Sequence, residues 1–459
     1  MAKPSYLYGT MHVSNKVAFH LSDSFYKAIA NVDVVALEIN PETWMQTMTS
    51  DPFVADRMGN VFSVRGDYSS SGFYTSLFKL EAPTNRQIGA ALASELGILN
   101  SLLYRNDNYG VEFQEDTYLD LFIYQAGKKQ GKEITGLEQL GTTMRLGEIA
   151  AKPETDKEKK KANKELALKR RFEIEKLLKG KNFNEVMEDA YRRGDLDLLD
   201  SLSRMSGGSD KYHDYIIVHR NIGMADDMDS IMRQKPLFAG IGAAHLPNTY
   251  GVINLLREMG YRVESVQDDK TDFGRGTKDR LEETFITQDF TTKNSFDGSF
   301  KMDLPGPLYE FPEANNTVMA AYPDMANGAT YVTTRLFTFA PLYGITPQQY
   351  MAKIDSLLFE NIPGKILEKK EIYRNGVPGY EITNQTKKGD VQHYFIMVKP
   401  LEIVVYKIGG KKKFVYRSEV QESLQNFGFV ANDVKWNVFS PKNNAYQINM
   451  PGSLLCEAE

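Results

Sequence analysis

The sequence predicts an α/β protein over residues 5–266, a mainly parallel sheet with helices on both faces, followed by an antiparallel α+β domain over 295–440. Three observations predict it. Short apolar runs ending in turn residues alternate with helix-period segments in the first half, the pattern of a parallel sheet. From Gln267 to Asn294 the chain turns polar and loses periodicity, as a linker would. Beyond it strand patterns dominate, which implies antiparallel pairing.

The elements follow in order. Tyr6-Leu7-Tyr8 is a strand entering Gly9-Thr10-Met11-His12. Ser22 is an N-cap for a helix carrying Phe25, Ala28, Ile29 and Val32, and Val34-Val35-Ala36-Leu37 is a buried strand that delivers Glu38. Residues 41–108 read as mixed and mostly helical, with a Ser-rich stretch from Gly59 to Gly72. A helix through Tyr118, Leu121, Phe122 and Ala126 ends at Gly131, and Ile134-Thr135-Gly136-Leu137 leads to Glu138. Lys152 to Lys181 is a Lys-rich solvated helical face with a narrow apolar stripe. Tyr215-Ile216-Ile217-Val218 reads as a further strand, delivering His219-Arg220-Asn221. In Lys235 to Val266 a strand runs to Gly242-Ala243-Ala244-His245, a helix opens near Pro247 and stops at Gly260, and Tyr261 to Val266 reads as another strand.

In the second half, strands are expected over 330–340, 366–373, 379–386, 392–398 and 401–408, with one helix from Pro347 to Phe359. A repeat also appears. Phe300-Lys301-Met302-Asp303-Leu304-Pro305-Gly306 resembles Tyr446-Gln447-Ile448-Asn449-Met450-Pro451-Gly452, so residues 441–459 read as the start of a truncated second copy of the domain.

Composition bounds the function. The 459 residues are 42% hydrophobic and 25% charged, as in globular proteins, and the net charge of -5 gives no footprint for nucleic acid. No segment approaches the about 18 apolar residues of a membrane span. Met1-Ala2 runs almost directly into a strand, so an extracytoplasmic protein (secreted, periplasmic or lipid-anchored) with its leader removed is expected. The single cysteine, Cys456, excludes an internal disulfide. No HExxH motif occurs, and Gly274-Arg275-Gly276 lacks the strand–helix context of a nucleotide loop.

Two Gly-x-x-His patterns at strand ends are the most informative chemistry, because open α/β sheets bind ligands beyond the carboxyl ends of their strands. A hydrogen-bonded core histidine is the ordinary alternative. Glu38 follows four apolar residues, so its carboxylate must be paired, protonated or on a metal. His12, Glu38, Glu138, Arg220 and His245 are expected to converge on one cleft. Two imidazoles and a carboxylate make a three-ligand set with an open position for water. Glu138 is the candidate general base and Arg220 the candidate helper, either as counter-ion or at the oxyanion.

Taken together, Tyr6 to His12, Leu37-Glu38, Asp116-x-Tyr118-Leu119, Gly136-Leu137-Glu138, Gly194-Asp195, Arg220-Asn221 and Gly242 to Leu246 resemble the TraB/GumN family. That family includes the Tiki metalloproteases and is related more distantly to erythromycin esterases and the ChaN haem-binding lipoproteins. The resemblance covers residues 5–266. It implies a divalent metal (Zn, Mn or Co) on His12, Glu38 and His245, catalysis by Glu138 and Arg220, and support from Gly9, Thr10, Asp116, Asn221 and Gly242. A peptide or protein substrate follows, with esters or lactones as the nearest alternative. The haem-binding relatives allow a second class, a non-enzymatic haem or ligand carrier, and a third is an adhesion or signalling scaffold. Residues 295–440 resemble PsbP-type α+β domains.

Overall fold

The computed structural model describes residues 3–11, 19, 21–54, 82–94, 117–152, 172–206, 210–266, 269, 271–314, 316–430, 436–440 and 446–451. His12, Asp116, the Gly59–Gly72 stretch, most of the Lys-rich segment, Gly452 and Cys456 lie outside them.

The first sheet has four strands: β1 (Tyr6–Thr10), β2 (Val34–Ile39), β3 (Glu133–Glu138) and β4 (Leu237–Gly242). Their order is β1-β4-β2-β3 and every pairing is parallel. The registers Thr10↔Gly242, Leu37↔Gly240 and Ile39↔Glu138 bring the four carboxyl ends level.

Helices α1 (Asp23–Asn31), α2 (Pro41–Ser50), α3 (Asn85–Ala93), α4 (Leu119–Lys129) and α5 (Leu140–Ala151) come from the first 151 residues. The caps explain where several of them start. Ser22 accepts a hydrogen bond from the Phe25 N–H, Asn40 caps α2 with Pro41 in its first turn, and Thr84 and Gln87 form a reciprocal box on α3. Side chains on a strand alternate between faces, and the core divides accordingly. Val35, Leu37 and Phe238 pack with Phe25, Ile29, Phe122 and Ile123. Val34, Ala36, Leu237, Ala239 and Ile241 pack with Met224, Met228, Val252 and Leu256 instead. The last four belong to α8 (His219–Met232) and α9 (Val252–Glu258), which follow α6 (Phe183–Arg193) and α7 (Leu196–Ser206).

Three sequence expectations are corrected here. Tyr215 to Val218 is no strand: Asp214–Val218 is a π-helical turn running straight into α8, so Arg220 projects from a helix. An apolar run of four residues fits either period, and no turn residue separates it from the helix behind. Tyr261 to Val266 carries no strand, and the helix before it starts at Val252 after a turn at Pro247–Gly251. The polar segment expected as a linker holds helix α10 (Asp272–Glu283) and strand β5 (Thr291–Asn294). Tertiary contacts order it where its own pattern does not. Asp23 accepts from the Thr271 N–H (3.1 Å), the Thr271 hydroxyl (2.6 Å) and the Gly274 N–H (3.0 Å). Lys129 donates to the Leu281 carbonyl at 2.7 Å.

The second half is antiparallel, as expected. Strands β6 (Phe300–Leu304), β7 (Tyr309–Ala314), β8 (Thr317–Asp324), β9 (Ala329–Phe337), β10 (Lys365–Arg374), β11 (Val377–Gln385), β12 (Val391–Val398) and β13 (Glu402–Gly410) build most of it. Seven form one sheet in the order β10-β11-β12-β13-β9-β8-β7, while β6 pairs with β5 and with Gly428–Phe429. Helix α11 (Pro347–Asn361) lays Tyr350, Ile354 and Leu358 on Ile382, Ile396 and Val405. Ile88 and Leu92 of α3 join that same core, so a helix from the first half of the chain completes the second unit. In the repeat, Phe300–Leu304 and Ile448–Pro451 are both strands, the latter paired with Trp436–Phe439.

Candidate functional site

At the carboxyl edge of the parallel sheet, Glu38 is the penultimate residue of β2, Glu138 the last of β3, and the turn after β4 carries His245. The π-turn reaches this edge from outside the sheet and adds Arg220. A π-turn inserts an extra residue into the helical ladder and is a common device for re-aiming side chains at functional sites. Here it sets Arg220 between the two glutamates.

Arg220 is the centre of the cluster. Its Nε donates to both oxygens of Glu138 at 3.0 Å, and its Nη2 donates to Glu138 Oε2 at 2.7 Å and to Glu38 Oε2 at 2.6 Å. Nη1 donates to the Ile216 carbonyl at 3.3 Å, within the π-turn itself. All three side chains are close to nine-tenths buried. The other Glu38 oxygen, Oε1, accepts the Gly242 N–H at 2.6 Å. Burial pushes the Glu138 carboxyl above its ordinary pKa, with the Glu38 charge adding to the rise and the Arg220 hydrogen bonds opposing it.

His245 is 5% exposed and Asn221 fully buried. Asn221 Nδ2 donates to the Tyr250 carbonyl at 2.7 Å, which leaves Oδ1 to accept from His245 Nδ1 at 2.6 Å. With that bond Nδ1 carries a proton, and Nε2 lies 3.8 Å from Glu38 Oε1. Imidazole ligands of metals are oriented by hydrogen bonds of this kind on the far nitrogen.

The sequence-predicted residues thus come together in the described part. Glu38, Glu138, Arg220, His245 and Asn221 share one cluster, and Gly242 joins through its backbone. Thr10 sits at the same edge but turns to Asp120, its hydroxyl donating at 2.7 Å. Gly9 serves packing: a Cβ there would meet Leu246 Cδ1 at 2.8 Å, and its carbonyl accepts the Tyr191 hydroxyl at 2.9 Å. His12 and Asp116 fall outside the described residues. Sequence reasoning missed Asp120 and Tyr191. Both lie on helices whose apolar pattern hid them, and only their partners in the first glycine turn reveal them.

Among the described residues, two groups of the kind that ligate divalent ions, an imidazole and a carboxylate, face each other here. His245 Nε2 and Glu38 Oε1 have the separation of two ligands on one ion, about 3–4 Å. Among the described residues no cluster of three or more His, Cys, Asp or Glu could hold a metal, and the expected third ligand, His12, is not among them.

No curated protein matches the chain. Among solved structures, similar ones include a protein of unknown function, PA94, from Pseudomonas aeruginosa (11% identity, 30% of this chain and 92% of that one, TM-score 0.19). Another is cyanobacterial PsbP (CyanoP) from Synechocystis (5% identity, 32% and 95%, TM-score 0.22). A third comes from Bacteroides thetaiotaomicron (12% identity, 33% and 53%, TM-score 0.21). The profile of the TraB/PrgY/gumN family matches residues 2–60 and 81–265, the whole span that builds the parallel sheet and the Glu38–Glu138–Arg220–His245 cluster, and the chain belongs to that family.

Proposed function

We propose that this chain is an extracytoplasmic, metal-dependent hydrolase that cleaves a peptide or related acyl bond at the carboxyl edge of β2, β3 and β4. The observation that carries the reading is the His245–Glu38 pair, an imidazole nitrogen 3.8 Å from a carboxylate oxygen with both side chains held from behind. Zinc, manganese or cobalt bound there would supply an activated water and a Lewis-acid contact for a carbonyl. His245 and Glu38 would hold the ion, with His12, outside the described residues, as the expected third ligand, and Asn221 orients the His245 ring. Glu138 would move the proton, its carboxyl lying at the same edge with burial raising it above the ordinary value. Arg220 has the Nε and Nη2 directions taken by carboxylates and Nη1 by a carbonyl, so it acts by positioning the two glutamates rather than by contacting an oxyanion.

A second reading has its own observation. An arginine gripping two buried carboxylates is also what a ligand-binding domain without activity would keep as a structural bridge, and haem or another ligand would then replace the metal. Metal analysis of the purified full chain separates the two, run beside peptide and ester hydrolysis assays. The hydrolase reading expects about one bound divalent ion per chain, lost in His245→Ala and Glu38→Gln. It expects Asn221→Ala to weaken binding about 10- to 100-fold, as loss of an orienting partner does. A metal-free wild type that takes up none of the three ions, or a haem-loaded one, overturns it.

A further inference from the structure

A second cavity, of about 350 Å³, lies where the two units meet, walled by α2 and α4 on one side and by the ends of β6, β7 and β8 on the other. It falls within the size range of small-molecule sites, about 300–1,000 Å³. Its polar groups set the ligand chemistry. Glu42 Oε1 is taken by the Tyr124 hydroxyl at 2.8 Å and by Lys128 at 2.7 Å, while Oε2 has no partner among the described residues. The hydroxyls of Tyr309 and Tyr322 also have no hydrogen-bond partner among the described residues. Burial pushes both up, so they stay protonated as neutral donors.

The walls carry one cation, Lys128, and two carboxylates, Glu42 and Asp324, each already engaged. Lys128, the cation lining the cavity, is neutralised by Glu42, which leaves no surplus for a phosphate. Asp324 is 1% exposed and already accepts from the Asn327 backbone and side chain and from Gln288, which leaves no surplus for an ammonium. The remaining wall is largely apolar. Pro41, Pro305, Pro307 and Pro323 contribute rings without N–H donors, and Met45 and Ile286 fill between them. Gly306, the closing residue of the repeat motif, lies directly on Tyr322, where a Cβ would meet the ring at 2.2 Å. That contact braces the Tyr322 ring.

Tyrosine hydroxyls and a carboxylate oxygen without partners among the described residues, no spare cation and apolar proline rings suit a ligand with one apolar face and hydroxyls around its rim. We propose that this inter-unit cavity binds a neutral pyranose-sized sugar, free or at the end of a glycan. The proposal is independent of the chemistry at Glu38 and His245.

The test uses saturation-transfer NMR of the full chain with glucose, galactose, mannose and N-acetylglucosamine at millimolar concentration, and a glycan array probed with the labelled chain. Saturation of one or more free sugars supports a free-sugar site, and array binding with weak free-sugar signals supports a glycan terminus. Tyr309→Phe, which keeps the ring, should weaken binding by about three- to tenfold, the cost of one neutral hydrogen bond. Gly306→Ala should displace Tyr322 and abolish it; if that variant is unstable, Tyr322→Phe replaces it with the same expectation as Tyr309→Phe. Silence in both arms overturns the proposal, as does binding unchanged in the Tyr309→Phe/Tyr322→Phe double variant.

Discussion

Arg220 shows at the scale of one residue how position turns a charge into a structural necessity. Taking a guanidinium and two carboxylates out of water is costly, and the cost is met only because five hydrogen bonds return to them. Removing the cation leaves two buried like charges facing each other. Arg220→Met should therefore destabilise the fold by about 3–5 kcal/mol, read from urea unfolding, the effect of stranding a buried charge. An effect within the error of the measurement would mean that the cluster is wet and weakly coupled. Glu138 supplies a second test, of sign. Its folded-state pKa is raised, so the folded protein holds that proton more tightly than the unfolded chain does. The contribution favours folding at low pH and is lost as pH rises from the ordinary glutamate value through the raised one. Relative to Glu138→Gln, the wild type should lose stability across that window, and a gain there would reverse the assignment.

Elements were legible in the sequence where two signals agreed. Val34 to Leu37 and Leu237 to Ile241 are apolar runs bounded by helix-period segments, and both are central strands of the parallel sheet. Glu38, Glu138 and His245 were found because they sit at or just beyond the ends of such runs. Arg220 was found for the wrong reason: its apolar run is a π-turn, and the residue reaches the site from a helix. The polar stretch after Val266 was misread because its order comes from distant partners, Asp23 and Lys129, which no local pattern encodes. Lys129 makes that dependence measurable. Burial, with help from the Lys411 charge, pushes its ammonium down to about 8. The unfolded chain has a lysine pKa of about 10.4 and binds the proton more tightly, so stability rises as pH climbs from about 8 to about 10.4. Thermal unfolding over that range should show the rise in wild type and not in Lys129→Met. Parallel pH profiles would mean that Lys129 is solvated and that α10 is held by other contacts.

Across the whole molecule the two units are tied by more than their connection. Met45, Met48 and Val54 share a core with Phe311, Ala321 and Val332, and Gln125 donates to the Met325 carbonyl at 2.8 Å. Helix α3 is buried against the second unit, where Lys407 donates to the Ala93 carbonyl at 3.0 Å and Ser94 meets Thr334 at 2.6 Å. Since each unit holds apolar surface that the other covers, wild type should unfold in a single calorimetric transition; two separated transitions would argue for independent domains. The connecting segment is the sharpest probe of this arrangement. Its start is pinned by three hydrogen bonds to Asp23, and farther on the Ile286 N–H donates to Asn327 at 2.8 Å. A protease needs extended, accessible backbone, and α10 offers it only after local unfolding. Trypsin should therefore spare Arg275, Lys278 and Arg280 in the wild type despite their place in a polar stretch. Asp23→Ala removes the clasp while leaving the core around Phe25 and Ile29 in place, so cleavage at those three residues should become the fastest event, with the nicked chain still associated and folded by circular dichroism. Equal cleavage rates in wild type and variant would show that α10 opens freely and that the stretch behaves as the flexible linker its composition suggests.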